Sequence, residues 1–230
     1  LARRGGEHLV AHHVDAQGRV LRAAFEGRVH TRGILDDVAF LGRACLDLHE
    51  LTLEPAWLER ARDRAAHALA HYRRAQGDGF YSTADDADAL IDRPESQHDG
   101  PIPSGLGVML ELLLRLDAAE HAPPEGRAVA EAILRRFTGA AAQPFGYASL
   151  LTAARHASPG AIHVTVRGPS PRDAKVQALA AEARAQRLRI PHALGLSFAA
   201  DATAFVVVCR HQTCQPPLTE PEALAAELSG

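Results

Sequence analysis

Apolar residues recur every three to four positions through the first two thirds of the chain and then, past residue 160, alternate or run together. That change of period divides the sequence. Residues 36–52 place Val38, Leu41, Cys45, Leu48 and Leu51 on one face of an amphipathic helix, with Asp36 as its N-cap. After a very short link, residues 55–75 follow with Pro55 at the first helical position and Leu58, Ala61, Ala65, Ala68, Leu69 and Tyr72 on one stripe. So short a link forces antiparallel neighbours, and 36–75 is predicted to be a helical hairpin. A second hairpin is predicted from 105–119, carrying Leu106, Met109, Leu110, Leu113 and Leu116, and 126–138, carrying Val129, Ile133, Leu134 and Phe137, with Pro123 and Pro124 between them. A further helix over 145–157 starts after Pro144, and residues 2–14 read as the tail of an earlier helix, with Gly18 marking the turn after it.

The connection 77–104 is much longer than the ~2–8 residues usual between bundle helices, so it needs structure of its own. Residues 80–83 and 89–93, separated by an acidic turn, are expected to pair as a short β-hairpin. Past the linker at 158–160, residues 161–166 alternate like a strand that ends at Gly168. A helix follows to about Gln186, with Ser170 as N-cap, Pro171 at its first position and Val176, Leu179, Ala180 and Ala183 on the buried face. A weaker strand is placed around 192–197. The run Ala204 to Cys209 reads as a strand buried on both faces, as in a parallel sheet. Thr219-Glu220-Pro221-Glu222 is a capping-box pattern opening a last helix. The expected division is therefore a helical region, 1–157, and a small α/β region, 161–230: a mainly α chain.

Composition narrows the function classes. With 230 residues, 47% hydrophobic and 23% charged, the chain can bury a sizeable core. Its longest strongly apolar run is far short of the ~20 residues a spanning helix needs, and no apolar segment follows the N-terminus, so a cytoplasmic, membrane-free protein is expected. The net charge is −3, and the 25 basic residues, of which only Lys175 is lysine, are scattered, so nucleic acid is not an expected partner. The arginine and alanine bias fits a GC-rich coding sequence. Three cysteines cannot all pair within one chain, which fits a reducing compartment.

In an up-and-down helical array every second connection lies at the same end, so parity groups 26–35, 76–104 and 139–144 at one mouth. Arg28, His30, Asp36, Asp37, Tyr81, Asp85, Asp86, Arg93, His98, Asp99 and Ser104 all fall on these connections or beside them. Carboxylates there can accept hydroxyl protons from a polyol while Tyr81 stacks on its ring. Two carboxylates ~5–10 Å apart are also the minimum machinery for glycoside hydrolysis, and a histidine with a carboxylate suits proton abstraction beside a carbonyl. The plainer reading makes Asp36 and Ser104 caps, Asp37 a first-turn charge and Asp85-Asp86 a solvated turn.

Other constellations are less complete. Cys209-x4-Cys214 brackets His211, but redox motifs favour C-x-x-C at a helix N-terminus, and zinc needs a fourth ligand. A packed thiol pair and a reversible disulfide both remain open. Cys45 belongs to a helix core. His12, His13 and His156 are set by no metal-binding pattern, and the pair His67/His71 shares a helix face without the intervening glutamate of H-E-x-x-H, so a solvated face is expected. Gly168-Pro-Ser170 lacks the glycine spacing of nucleotide motifs. No metal or cofactor is expected.

The blocks Gly33-Ile-Leu-Asp-Asp-Val-Ala-Phe-Leu41, Pro55-Ala-Trp-Leu58, Gly79-Phe-Tyr-Ser-Thr83, Asp99-Gly-Pro-Ile-Pro-Ser-Gly105 and Cys209-Arg-His-Gln-Thr-Cys-Gln-Pro-Pro217 resemble the thioredoxin-domain-containing family related to spermatogenesis-associated protein 20. The resemblance implies the C-terminal part of that family, an α/α toroid similar to N-acylglucosamine 2-epimerases and six-hairpin glycosidases. This chain departs from the family pattern at Leu106-Gly107, at Val38 where a tyrosine is usual, and at Glu95-Ser96 where a Lys-Asp pair is usual. A closed toroid needs twelve helices and about six are legible here before the α/β region, so the remainder is expected upstream or from association. The implied cleft binds a sugar or sugar derivative, with Asp36, His98 and Asp99 as acid/base groups and Asp37, Tyr81, Arg93 and Ser104 as binding residues. The competing expectation is a non-catalytic scaffold that presents a surface to a thioredoxin-like domain or another protein.

Overall fold

The computed structural model describes residues 1–25, 28–76, 78–87, 91–190, 193–210 and 213–229. Among them are eight α-helices, a two-stranded ribbon and a four-stranded sheet, so the chain is mainly helical. It divides into two compact units: Leu1–Leu48 with Ala56–Ala154, and His49–Pro55 with Arg155–Gly230.

The first unit contains α1 (Ala2–His13), the antiparallel strands β1 (Leu21–Phe25) and β2 (Arg28–Arg32), α4 (Gly105–Ala118), α5 (Gly126–Leu134) and most of α2 (Leu35–Thr52), α3 (Pro55–His71) and α6 (Ala148–Ala157), the last preceded by three short 3-10 turns; residues 49–52 of α2, 55 of α3 and 155–157 of α6 belong to the second unit. Gly18 has φ +80 and makes the turn that leads from α1 toward β1. The helices lie where the apolar stripes place them, with one correction: Val38, Leu41, Cys45 and Leu48 of α2 are buried, as are Trp57, Leu58, Ala61, Ala65 and Ala68 of α3, but Leu51 at the end of the α2 stripe is exposed. Every residue of α4 from Gly105 to Leu116 is buried. A helix enclosed on all sides is a core element rather than an amphipathic surface one. It carries two charged residues inward, and these are paired: Arg115 donates to Glu111 at 3.1 Å and to Asp47 at 2.7 Å.

One element of this unit was not anticipated and one expectation is corrected. The ribbon β1–β2 was not legible, because residues 21–32 mix arginines with small residues and show no clean alternation. The hairpin expected from 80–83 and 89–93 does not form among the described residues, and Ala89 and Leu90 lie outside them. Instead Phe80 bridges Arg73, the Tyr81 N–H donates to the Tyr72 carbonyl and the Ser82 N–H to the Pro94 carbonyl. The segment is thus held at the end of α3 by single backbone bonds rather than by a ladder.

In the second unit β3 (Ile162–Gly168), β4 (Leu194–Ala200), β5 (Phe205–Arg210) and β6 (Thr213–Cys214) form one sheet in the order β4-β3-β5-β6. β3 and β4 are parallel and joined through α7 (Ala174–Arg187); β5 runs antiparallel to β3. The parallel, doubly buried strand expected at 204–209 is corrected: Val206 and Val208 are buried while Phe205, Val207 and Cys209 are only partly so. An unbroken apolar run hid a two-faced strand. Val164, Val166, Leu196, Val206 and Val208 pack with Val176 and Leu179 of α7 and with Leu224 and Leu228 of α8 (Pro221–Ser229). The cap of α7 is also corrected. Asp173, not Ser170, accepts the Lys175 and Val176 N–H groups, whereas Ser170 Oγ accepts from Arg172 in the preceding turn.

β4 is an edge strand, and a parallel edge leaves N–H groups unpaired. Here Glu50 Oε1 accepts the Leu196 N–H and His49 Nε2 accepts the Phe198 N–H, each at 3.3 Å. His49 Nδ1 lies 2.9 Å from the Glu54 carbonyl, which assigns the proton to Nδ1 and leaves Nε2 as the acceptor. Glu50 is 4% exposed and is ion-paired with Arg187 at 2.6 Å. A buried carboxylate that closes a sheet edge is costly to remove. Glu50→Ala is expected to destabilise the chain by about 2–3 kcal/mol in urea denaturation and to speed hydrogen exchange at the Leu196 amide before that at Val164.

Candidate functional site

The residues expected at the mouth all belong to the first unit, and most of those whose side chains are described fall into two groups. The larger group surrounds the N-terminus of α4. Ser104 is its N-cap, with Oγ accepting the Gly107 N–H at 3.2 Å. Asp36 does not cap its own helix. The first N–H groups of α2 are taken by others, Ile34 donating to Asp37 Oδ2 and Leu35 to the Ser82 carbonyl. Asp36 Oδ1 instead accepts the Gly105 N–H at 3.1 Å, across 69 residues of sequence. Asp99 Oδ1 accepts from the Ser104 N–H at 2.8 Å and from the Ser149 hydroxyl at 2.5 Å, while Oδ2 accepts the Ser149 N–H at 2.7 Å. Asp36 and Asp99 therefore take consecutive amides at the start of one helix, and Asp99 also holds the start of α6.

Two glycines allow this convergence. A Cβ on Gly105 would lie 2.2 Å from Asp36 Oδ1 and 2.8 Å from the Asp36 nitrogen; one on Gly107 would lie 2.0 Å from Ser149 Oγ and 2.8 Å from the Ser149 carbonyl carbon. Backbone on one side and a committed side chain on the other leave no room for relaxation.

The two carboxyls are pushed in opposite directions. Burial, with the like charge of Asp37 beside it, raises Asp36, and the Gly105 N–H only partly offsets this. Burial would also raise Asp99, but the Ser149 hydroxyl and the Ser104 and Ser149 amides outweigh it and hold Asp99 below the usual carboxylate value.

Asp99 and Ser149 also line an open groove of about 280 Å³, together with Arg43, Glu111, Thr152 and Phe145. The Phe145 side chain is almost fully exposed there, and Ile102 is exposed on the same rim. His98 is turned toward Tyr147, whose hydroxyl lies 2.7 Å from His98 Nε2, rather than serving as a proton partner to Asp99. Tyr147 was not anticipated, since nothing in its spacing marks it.

The second group is Tyr81 with Arg93. The Arg93 guanidinium lies over the Tyr81 ring at 4.2 Å and donates to the His71 and Thr83 carbonyls. It acts as a clamp between α3 and the following loop, and it occupies the ring surface that was expected to stack on a sugar. Asp37, beside Asp36, accepts the Ile34 N–H at 2.8 Å and lies 3.8 Å from Arg22. The side chains of Arg28 and His30 lie outside what the structure describes.

His71, Asp85 and Asp86 bring ligand-type atoms within 4.8 Å of one another, and so make the one grouping among the described residues with the donor set of a metal site. Asp86, however, is already paired with Arg32 at 3.1 Å and Arg19 at 3.5 Å, and two guanidiniums oppose a divalent cation. His67, expected on a solvated face, is partly buried and its ring lies 4.7 Å from that of His71. In the second unit Ser197 Oγ is 2.8 Å from His163 Nε2, but both residues are buried, at 2% and 6% exposure, so no substrate reaches that pair. Cys209 and Cys214 are joined in a disulfide, and Cys45 is free and buried. His211 lies outside the described residues.

These features define a mainly helical chain with a small mixed sheet and a polar, carboxylate-bearing helix terminus. No family model matches it. Over 125 residues, half of this chain, it is 34% identical to human spermatogenesis-associated protein 20, and the match covers 16% of that protein. The similarity supports the relationship that the residue blocks suggested, and the chain corresponds to a small part of its relative's length.

The carboxyl pair generates two expectations. Asp99→Asn cannot accept on both oxygens and is expected to cost about 1–3 kcal/mol at pH 7. Because the folded carboxyl is held below its ordinary value of 3.8, that stabilisation is present above 3.8 and is lost as the pH falls through the lowered folded value. Thermal melts of parent and variant should therefore converge in acid. Asp36→Asn keeps an acceptor for Gly105 and removes a half-buried charge, so its melt should stay within about 0.5 kcal/mol of the parent. Gly107→Ala should cost about 2 kcal/mol or more, despite alanine's better helix propensity, as read by urea midpoint.

Proposed function

We propose that the helical unit binds a carbohydrate or sugar derivative in the groove beside the α4 N-terminus, as part of an α/α toroid of the kind implied by the family resemblance. The observation that carries the reading is the groove itself. Charged and hydroxyl groups from Arg43, Asp99, Glu111, Ser149 and Thr152 suit the hydroxyls of a sugar, and the exposed ring of Phe145 suits its apolar face. If the cleft is catalytic, the chemistry is of epimerase or glycosidase type: Asp99, on the groove wall, is the ionised carboxylate, while Asp36, which takes the adjacent α4 amide, is not among the groove-lining residues. Tyr147 and His98 form a neighbouring hydrogen-bonded pair.

A second reading has its own observation. Both oxygens of Asp99 are engaged by Ser104 and Ser149, which is what a purely structural cap requires. In that reading the helical array is a non-catalytic scaffold that meets a thioredoxin-like domain or another protein.

A thermal-shift series against neutral sugars, amino sugars and sugar phosphates separates the two. A ligand at a hundredfold excess over its Kd stabilises by about 2.7 kcal/mol, on the order of 5–10 °C for a chain of this size. A shift with the parent that is lost in Phe145→Ala, whose exposed ring contributes little to folding, supports the cleft. A cooperative melt that no sugar moves leaves the scaffold.

A further inference from the structure

The Cys209–Cys214 disulfide belongs to neither the groove nor the core. Cys209 and Cys214 are direct partners in the register of β5 and β6, and β6, only two residues long, ends the sheet order on that side. Cys214 is exposed and Cys209 partly so. The apolar core of the unit is built on the opposite face of β5, from Val206 and Val208, and contains neither cysteine.

The returning chain is also fastened without the disulfide. The Gln215 N–H donates to the Val208 carbonyl, and Val206 and Leu218 exchange both backbone bonds, at 2.8 and 2.9 Å. Opening the S–S bond therefore frees two side chains at a surface ribbon while these bonds hold the strand in place.

The two sulfurs differ in surroundings. Cys214 stands at the outer edge. Cys209 lies directly opposite His163 of β3, and both side chains are on the face away from the core. Directly opposed residues in an antiparallel pair have Cβ atoms about 4.5–5.5 Å apart. The His163 ring itself turns to β4, its Nε2 2.8 Å from Ser197 Oγ, so the two sulfurs are told apart by exposure, Cys214 being the more open.

We propose that Cys209–Cys214 is a thiol–disulfide exchange site that operates in the folded protein, taking small or protein dithiols as its co-reactant. The first thiolate of the dithiol attacks Sγ of the exposed Cys214. The Cys209–Cys214 bond breaks, and Cys209 leaves with the electron pair as a thiolate that takes a proton from solvent. The dithiol's second thiolate then attacks its own sulfur in the mixed disulfide and releases Cys214. The dithiol is oxidised to its disulfide and the cysteine pair is reduced by two electrons.

Cys45 supplies an internal control. It is 1% exposed, and burial pushes its thiol up to about 11, so it reacts with an alkylating agent only when the first unit opens. The test treats the native chain with dithiothreitol, quenches with iodoacetamide and locates the label by peptide mass. The expected result is labelling of Cys209 and Cys214 with Cys45 unlabelled, an unchanged cooperative melt of the first unit, and return of the disulfide with oxidised dithiothreitol. Labelling of all three cysteines together, or reduction only in urea, would overturn the proposal.

The direction of attack has a separate reading. With the partner replaced, the free thiol of Cys209→Ser, which is Cys214, should react with a bulky disulfide reagent on the order of tenfold faster than the free thiol of Cys214→Ser. Equal rates would remove the assignment of Cys214 as the attacked sulfur.

Discussion

The close approach at Gly105 and Gly107 is the constraint on which the helical unit depends. A fully buried helix has its first amides inside the protein, where each unpaired N–H carries a desolvation cost of about 1–3 kcal/mol. α4 is such a helix, and water cannot serve as its cap. Its first donors are met by the local Ser104, which takes the Gly107 N–H, and by Asp36, which is brought in from α2 and reaches the Gly105 N–H only because no Cβ stands between. Gly105 admits Asp36 from α2 and Gly107 admits Ser149 from α6. Two helix N-termini and the 99–104 loop are thereby fixed against one another by a handful of short bonds.

The same constraint explains why the carboxylates converge and why they differ. Asp36 approaches over the apolar start of α2, gains a single amide and stays half-buried beside Asp37, so its charged form is disfavoured. Asp99 approaches from a loop and gathers two amides and a hydroxyl, so its charged form is favoured. Helix capping alone produces the split in proton affinity that acid–base chemistry needs. Structure and chemistry are therefore not rival explanations of these residues.

The sequence foretold the helices more completely than it did their contacts. Amphipathic stripes in α2, α3 and α5 repeat at short range, so periodicity finds them. The same logic put Ser104 at the start of α4. The partner of Asp36 lies 69 residues away, and no spacing rule links a residue to an amide on another helix; its position near a helix start suggested a cap, but the helix it caps is not its own. A usable signal was present in the two glycines of an otherwise apolar helix, since glycine inside a helix often marks a close approach. In β5 the error had the opposite origin. Val206, Val207 and Val208 are alike in composition, and only the neighbouring elements decide which of them are covered.

The second unit meets a similar demand by a different route. Its sheet has two ends, β4 and β6, and each would expose unpaired backbone. At β4 the unpaired amides are met by His49 and Glu50. At β6 the strand is cut to two residues, and a covalent bond replaces the ladder that a longer strand would supply. A short strand is a poor template for pairing with another chain, so the edge is protected even where nothing covers it. A covalent clasp outside the core can also be opened without unfolding what lies beneath it, whereas Glu50, buried and bearing on backbone amides, cannot be displaced without loosening the sheet. The chemistry at the two edges follows from this difference in burial: the covered edge is structural, and the exposed one is available for exchange.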